Sequence, residues 1–267
     1  MNALRRYGEI YGLMLRNSVI REMNFKANFL LWLVVELLWC AVQLAAIEVL
    51  YGYVDEIGGW SKWQVVLLVG THQLTSQFFQ AFCFNNLSNV SELVRTGRLD
   101  FMLLLPVDSQ FMVSLRQFSL DSMVNALVSV GIIGFALHKL GHQPGLAQIG
   151  LFTCGVLAAT LVHYAIMCGL ATASFWIVKA QGLIYGYYNI FNIARYPSRI
   201  FKGVFGFVFR WVFPVLVVAN VPAGILAGLF KQPLWPMAHL LAVSTLSFLA
   251  ARIFWKLAVR RYASASS

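Results

Sequence analysis

The sequence predicts an all-α integral membrane protein: six transmembrane helices, an N-terminal helix at the membrane interface and a re-entrant helical hairpin on the outer side. Three observations lead there. Hydrophobic residues fill 60% of the chain and charged ones 11%, with a mean hydropathy of +0.72, too apolar for a water-soluble domain. The charges crowd between long stretches that nearly lack them. Six of those stretches, at 27–51, 62–84, 111–137, 146–178, 203–221 and 237–258, reach the roughly 20 residues that cross a bilayer. Residues 1–267 therefore read as one transmembrane domain with no room for a separate soluble one.

Residues 1–26 do not look like a cleavable signal, because charge persists to Lys26 and no small-residue cleavage site follows. Leu4, Tyr7, Ile10, Tyr11 and Met14 recur at helical spacing, with Arg5, Arg6 and Arg16 on other faces. That pattern suits a helix lying in the interface ahead of the first span. Ser264 to Ser267 read as a disordered end.

The connector at 85–110 is richer than a turn needs to be. Asn89 is placed to cap a short amphipathic helix, Glu92 holds the capping-box position and Gly97 can end the helix. A second charged step, Arg98-Leu99-Asp100, leads into apolar residues that stop at Pro106. Such a knob looks built to be gripped by another protein; an ordinary solvated loop is the alternative.

Orientation follows from Lys and Arg. Seventeen of the twenty fall in the N-terminus, the 85–116 connector, the 179–210 stretch (Lys179, Arg195, Arg199, Lys202, Arg210) and the C-terminus; only Lys62, Lys139 and Lys231 fall on the other side. The positive-inside rule then puts both termini, the 85–110 connector and the 179–202 connector in the cytoplasm. The net charge of +10 is spread over four membrane-flanking segments and forms no continuous patch, so it argues for anionic lipid and not for nucleic acid.

Within the spans, Glu36 and Gln43 share a face of the first, and Asp121 and Asn125, four apart, share a face of the third. Ionisable groups in hydrocarbon face the protein interior or a water-filled path. Interhelical hydrogen-bonding glue and the lining of a substrate route both fit, with glue the preferred reading. Residues 220–236 carry Pro222, Gly224, Gly228 and Pro233 in a stretch apolar enough to enter the membrane yet too broken to cross it. That composition predicts the outer hairpin, its backbone covered by protein.

Catalytic signatures are missing. The chain has no G-x-x-x-x-G-K-[ST], no G-x-S-x-G, no H-E-x-x-H and no paired catalytic carboxylates. Cys40, Cys83, Cys154 and Cys168 are scattered without metal or redox spacing and read as small buried hydrophobes. His138 and His142, four apart, lie at a span end beside Gly141 and Pro144, poor ground for a metal pair. No metal site, cofactor site or enzyme is expected in this chain.

Two stretches resemble a known family. ELVRTGRLDFMLLLPVD (92–108) is similar to the E-x-x-R-x-G-x-L-D-x-L-L-x-x-P connector of type-2 ABC exporter permeases, departing from it at Met102, where the pattern has Leu. ARYPSRIFKGVFGFVFRWVFPVLVVANVPAG (194–224) is similar to that family's R-Y-P, proline-bearing span and P-A pattern. The resemblance covers essentially the whole chain and points to an uncharacterised six-span branch. It implies the transmembrane half of a bacterial inner-membrane exporter, working with a second permease, identical or paralogous. It further implies a separate cytoplasmic nucleotide-binding ATPase that binds ATP and Mg, and a hydrophobic or amphipathic substrate. On that resemblance Glu92, Leu93, Val94, Arg95, Gly97, Arg98, Leu99 and Asp100 form the ATPase-coupling surface, with Leu93, Val94 and Leu99 its apolar contacts and the charges its rim. An ion-coupled secondary transporter should show inverted repeats, which are not evident here. A non-transport scaffold is the remaining alternative.

Overall fold

The computed structural model describes residues 3–24, 26–177 and 181–262. They are helical nearly throughout, with no β-strand among the described residues. Thirteen α-helices are described: α1 (Ala3–Asn24), α2 (Lys26–Tyr51), α3 (Lys62–Phe79), α4 (Asn85–Ser88), α5 (Val90–Arg95), α6 (Arg98–Leu103), α7 (Ser109–Leu115), α8 (Leu120–Leu140), α9 (Leu146–Thr172), α10 (Gln181–Phe191), α11 (Gly203–Phe207), α12 (Val215–Leu226) and α13 (Leu234–Arg260). Four segments are long and apolar enough to cross a bilayer: Phe29–Tyr51, Leu120–Leu140, Leu146–Phe175 and Leu234–Arg260. A bent pair, Gly203–Val212 with Val215–Leu226, raises that to five if it counts as one span.

The six expected runs are therefore changed in three places. The second, 62–84, is a helix, but Thr71, His72, Gln73, Thr75, Ser76 and Gln77 along its middle make it too polar for a lipid-facing span. All six are buried, because α3 runs through the centre of the bundle against α8, α9 and α12. Its hydroxyls bond back to its own turns, Thr71 Oγ1 to the Leu67 carbonyl at 2.8 Å and Thr75 Oγ1 to the Thr71 carbonyl at 3.0 Å. The helix then widens into a π segment at Gln80–Phe84 before α4.

The third run, 111–137, is two helices. Asp108 caps α7 by accepting the Phe111 N–H at 3.0 Å. The chain breaks before α8 starts at Leu120, and Asn86 holds the break: its Oδ1 accepts the Gln117 N–H at 2.9 Å while its Nδ2 donates to the Gln117 carbonyl at 2.8 Å.

The fifth run, 203–221, is not a straight crossing. Its halves meet at 82° around Pro214, which lacks the N–H to continue a helix and pushes Phe213 out of helical backbone (φ −116, ψ 87). All twelve residues of α12 are buried. Gly155 admits it, since a Cβ there would stand 3.1 Å from the Pro222 ring. Residues 220–236 hold the end of α12, a turn and the start of α13. Gly228 closes the turn at φ +67, and the Leu229 N–H bonds back to the Gly224 carbonyl at 2.8 Å.

One inferred side is also corrected. The turns at 52–61 and 141–145 share one end of the bundle, since Lys139, near the end of α8, lies over the Trp63 ring at the start of α3. A Cβ on Gly58 would stand 3.1 Å from both Ile200 and Pro197, and one on Gly59 3.1 Å from Arg199. Pro197–Ile200 therefore sit with those turns, opposite the 89–119 connector, and α10 with its 3-10 extension Asn192–Arg195 bridges the two ends. Lys202 follows directly, and Arg210 precedes Trp211, whose ring packs on His239 near the start of α13 at 4.4 Å. Moving Arg199, Lys202 and Arg210 from the seventeen leaves fourteen against six, the same bias made shallower. Lys179 lies outside the described residues.

Candidate functional site

Two features carry polar chemistry: a cleft beside α2, and the connector at 89–119. The cleft begins with the glutamines of α3. Gln73, Gln77 and Gln80 fall on one face at helical spacing, and Gln73 and Gln77 donate their amides to the same Glu36 oxygen on α2, Gln77 at 2.8 Å. Glu36 is thus interhelical glue, and it also lines the space beside it. An opening of about 700 Å³ lies between α2, the lower end of α3, α8 and α10, with Glu36, Gln80 and Tyr188 on its wall. The same three residues line a second opening of about 480 Å³ that reaches Gln43, His72, Asn189 and Asn192. The two form one polar cleft along the bundle.

Asp121 belongs to the connector end of this cleft and not to mid-span, because α8 begins only one residue before it. Its Oδ1 accepts the Ser119 hydroxyl. Beside it, Glu22 of α1 accepts the Leu120 N–H at 2.7 Å. Both carboxylates sit where a helix N-terminus favours negative charge. Burial pushes the Glu22 carboxyl above its ordinary range, against the Leu120 N–H, and nearby Asp121 adds to the rise. Asn125, one turn further, is buried with its Oδ1 unpartnered and does not line the cleft.

The connector is a pair of short helices turned on Gly97, whose φ of +68 ends α5 and admits α6. Asn89 forms no cap; its side chain donates instead to the Asn85 carbonyl at 2.6 Å, because α4 leads into α5 almost without a break. Glu92 pairs with Arg95 at 2.8 Å, and that hydrogen bond holds its carboxyl below the usual range. Arg98 lies 3.9 Å from the same carboxylate.

The apolar assignments change. Leu93 and Leu99 are buried in the chain's own core and root the knob, while Val94 is half-buried and packs against that core. The exposed apolar surface is Phe101, 73% exposed, and Leu104, 80% exposed, with Leu105 beside them. Their three-residue spacing on a helix was visible in the sequence.

The connector is tied to the bundle at Asp108. Arg252 of α13 forms a forked pair with its carboxylate and donates to Gln110 Oε1 at 2.9 Å. Burial would raise the Asp108 carboxyl, but Arg252 and the Phe111 N–H outweigh it and hold it low. Gln110 donates onward to the Tyr164 hydroxyl of α9 at 3.0 Å. Trp255 donates to Ser109 at 3.1 Å, and the Tyr7 hydroxyl of α1 accepts the Asp108 N–H at 3.0 Å.

The outer-hairpin residues Pro222, Gly224, Gly228 and Pro233 are not at the cleft. Pro222 packs on Gly155, and a Cβ on Gly224 would run into the Phe230 ring at 2.5 Å. Asn220, unmarked by the sequence reading, holds this region together. Its Oδ1 accepts the Ser198 N–H at 2.7 Å, and its Nδ2 donates to the Ala194 and Tyr196 carbonyls at 3.2 and 3.1 Å. Among the described residues no three His, Cys, Asp or Glu side chains gather to hold a metal ion.

A bundle of long apolar helices around a buried polar one, with a cleft open at its side, defines a helical membrane protein. The family model described as ABC-2 family transporter protein matches residues 37–266, and the chain belongs to that family. It is an ABC transporter permease, a membrane transport component that is not itself catalytic, and its family implies an ATP-binding partner subunit. No match to the chain is found among the curated proteins.

Proposed function

We propose that this chain is the transmembrane half of an ATP-binding-cassette exporter and receives force from a separate cytoplasmic ATPase through its 89–106 connector. The observation that carries the reading is the construction of that connector. Leu93 and Leu99 anchor it, Phe101 and Leu104 present an apolar tip, Glu92, Arg95, Arg98 and Asp100 surround the tip, and Arg252 locks its exit to α13. A tip that moved loosely could not convert ATPase closure into helix tilting; a rooted one can. ATP and Mg belong to the partner. The cleft is open along α2 and α10, where a second permease, identical or paralogous, would close it.

In this reading the chain makes six crossings, by α2, α3, α8, α9, α10 with its extension, and α13. Gln181–Arg195 would span about 22 Å as a helix, short for a bilayer but lengthened by the extended residues up to Pro197. Residues 203–226 enter from the outer face and return to it, and α1 lies in the cytoplasmic interface of a bacterial inner membrane. The remaining Lys and Arg bias keeps both termini in the cytoplasm. Purification in mild detergent should recover a P-loop ATPase with the chain. In intact cells an impermeant thiol reagent should label a cysteine at position 199 and spare one at 95. Recovery of a lone chain that carries out ion-driven uptake, or labelling at 95, would overturn the reading.

A further inference from the structure

The cleft has a composition that the rest of the molecule does not share. The chain carries a net charge of +10, yet three of its ten acidic residues, Glu22, Glu36 and Asp121, line the 700 Å³ opening, against one described cation, Arg21. Each carboxylate has one oxygen engaged: Glu36 by Gln73 and Gln77, Glu22 by the Leu120 N–H, Asp121 by Ser119. Glu22 is held further by the Asp121 N–H, while the second oxygens of Glu36 and Asp121 make no hydrogen bond or ion pair among the described residues. Aromatic side chains line the same opening: Phe29 and Trp32 on the helix of Glu36, and Phe84, Tyr185 and Tyr188 from other elements.

A second observation is independent of the acids. At the other end of the cleft the Gln43 Oε1, an acceptor, is buried without a partner. His72, 4% exposed, lines the same opening; its ring faces the Phe191 backbone with one nitrogen and leaves the other without a partner. A neutral imidazole offers one acceptor nitrogen. Orphaned buried acceptors are costly, and a ligand that brings N–H donors would satisfy them.

Resting on the permease reading, we propose that the substrate of this cleft is an amphipathic organic cation: an aromatic or planar body bearing a positively charged nitrogen group with N–H donors. Carboxylates inside an apolar protein attract such a charge strongly, and the aromatic faces favour it further. Glu36 is the central contact, because it lines both openings and its two glutamines fix its orientation. A phosphorylated or sulfated compound would meet repulsion at the same wall.

The test uses the detergent-solubilised full chain with ethidium as probe, a planar cation with amino donors whose binding is read by fluorescence polarisation. Saturable binding is expected, displaced by tetraphenylphosphonium and not by tetraphenylborate, which has nearly the same shape and the opposite charge. Glu36→Gln keeps an acceptor for Gln73 and Gln77 but removes the charge, and should weaken ethidium at least tenfold. Trp32 is 53% exposed and serves as a second site should Glu36→Gln fail to fold: Trp32→Leu should weaken binding about threefold or more and Trp32→Phe should restore it. Equal displacement by the two tetraphenyl ions, or unchanged binding by folded Glu36→Gln and Trp32→Leu, overturns the inference. Should the chain retain its ATPase while ethidium does not bind, the cation inference fails and the permease reading stands. Charge-selective binding without any ATPase partner supports the cleft and removes the permease reading alone.

Discussion

If the connector docks an ATPase as proposed, two leucines five residues apart separate its exposed tip from its buried root. Leu104 is 80% exposed and Leu99 is fully buried. Full burial of a Leu side chain contributes about 1.5–3 kcal/mol, so covering the exposed four-fifths of Leu104 in a partner's groove contributes about 1.2–2.4 kcal/mol. That corresponds to about 8- to 60-fold in affinity. Phe101 exposes about three-quarters of a side chain of roughly 150–250 Å², worth at most about 3–4.5 kcal/mol, part of it offset by the cost of ordering the interface. Leu104→Ala should therefore weaken ATPase retention about tenfold or more and Phe101→Ala at least as much, each with unchanged thermal stability. Leu99→Ala removes packed atoms and leaves a cavity, so it should cost about 2–5 kcal/mol of stability. Any loss of the ATPase should then follow the loss of folded protein. The assay is co-purification of the ATPase from the assembled complex beside a thermal melt of each variant. If Phe101→Ala and Leu104→Ala retain the ATPase in full, the tip is not the docking surface. If Leu99→Ala melts like wild type while the ATPase is lost, the division between root and tip is wrong.

Three further outcomes follow from local geometry. Gly155→Ala should cost about 1–3 kcal/mol, because its methyl group meets Pro222 at 3.1 Å, whereas Gly150→Ala, with no atom within 4 Å, should stay within about 0.5 kcal/mol; paired thermal melts decide it. Gly224→Asp would drive a charge into the Phe230 ring and should abolish folded protein, while exposed Gly228→Asp carries the strain of a positive φ and a 3.3 Å approach to the His142 ring, together about 1–3 kcal/mol, as size-exclusion recovery would show. The Asp108 carboxyl is held below its ordinary value, so the stability it adds is complete above about pH 4 and lost as the pH falls through its folded-state value. The melting difference between wild type and Asp108→Asn should therefore be constant from about pH 5 to 8 and shrink below about pH 4; a difference that persists in acid refutes the Arg252 pairing as its cause.

Much of the fold was legible because lipid imposes a simple rule on long apolar helices, and α2, α8, α9 and α13 obey it. The elements that misled are those shielded from lipid. Hydropathy identifies α3 as a span by length, but its polar middle makes sense only once α8, α9 and α12 surround it. The stretch at 181–195 is too short to read as a crossing, so the apolar run at 203–221 took its place and drew Arg199, Lys202 and Arg210 to the wrong end. Pro214 was the visible warning, since a proline inside an apolar run lacks the N–H that continues the ladder of hydrogen bonds. At the connector, periodicity marks two apolar stripes, Leu93 with Leu99 and Phe101 with Leu104. It cannot say which faces the body, because that depends on the angle at which Gly97 turns the second helix. The glutamine row at 73, 77 and 80 was readable as a face, and only the packing of α2 against it shows that Glu36 is its partner.

One contact that holds the connector, the Ser119 N–H on the Ala81 carbonyl, also borders the cleft, and it is where the two would be coupled in the proposed mechanism. In the proposed mechanism, movement of the tip would pull on Asp108, which is tied through Arg252 to α13 and through Gln110 and Tyr164 to α9. It would also move the 116–119 break, which Asn86 fastens to the end of α3 and the Ser119 N–H fastens to the Ala81 carbonyl at 2.9 Å, inside the π segment. Gln80 and Phe84 of that segment, and Ser119 and Asp121 beyond the break, line the cleft. A π segment interrupts the regular α-helical ladder and is frequent at functional sites, so in the proposed mechanism it is the place for a pull on the connector to change the cleft's shape. The rigid ties fall on the connector side of Ala81 and the deformable turn falls at the cleft. In the proposed mechanism that order would let force from an ATPase arrive without first distorting the path by which it travels.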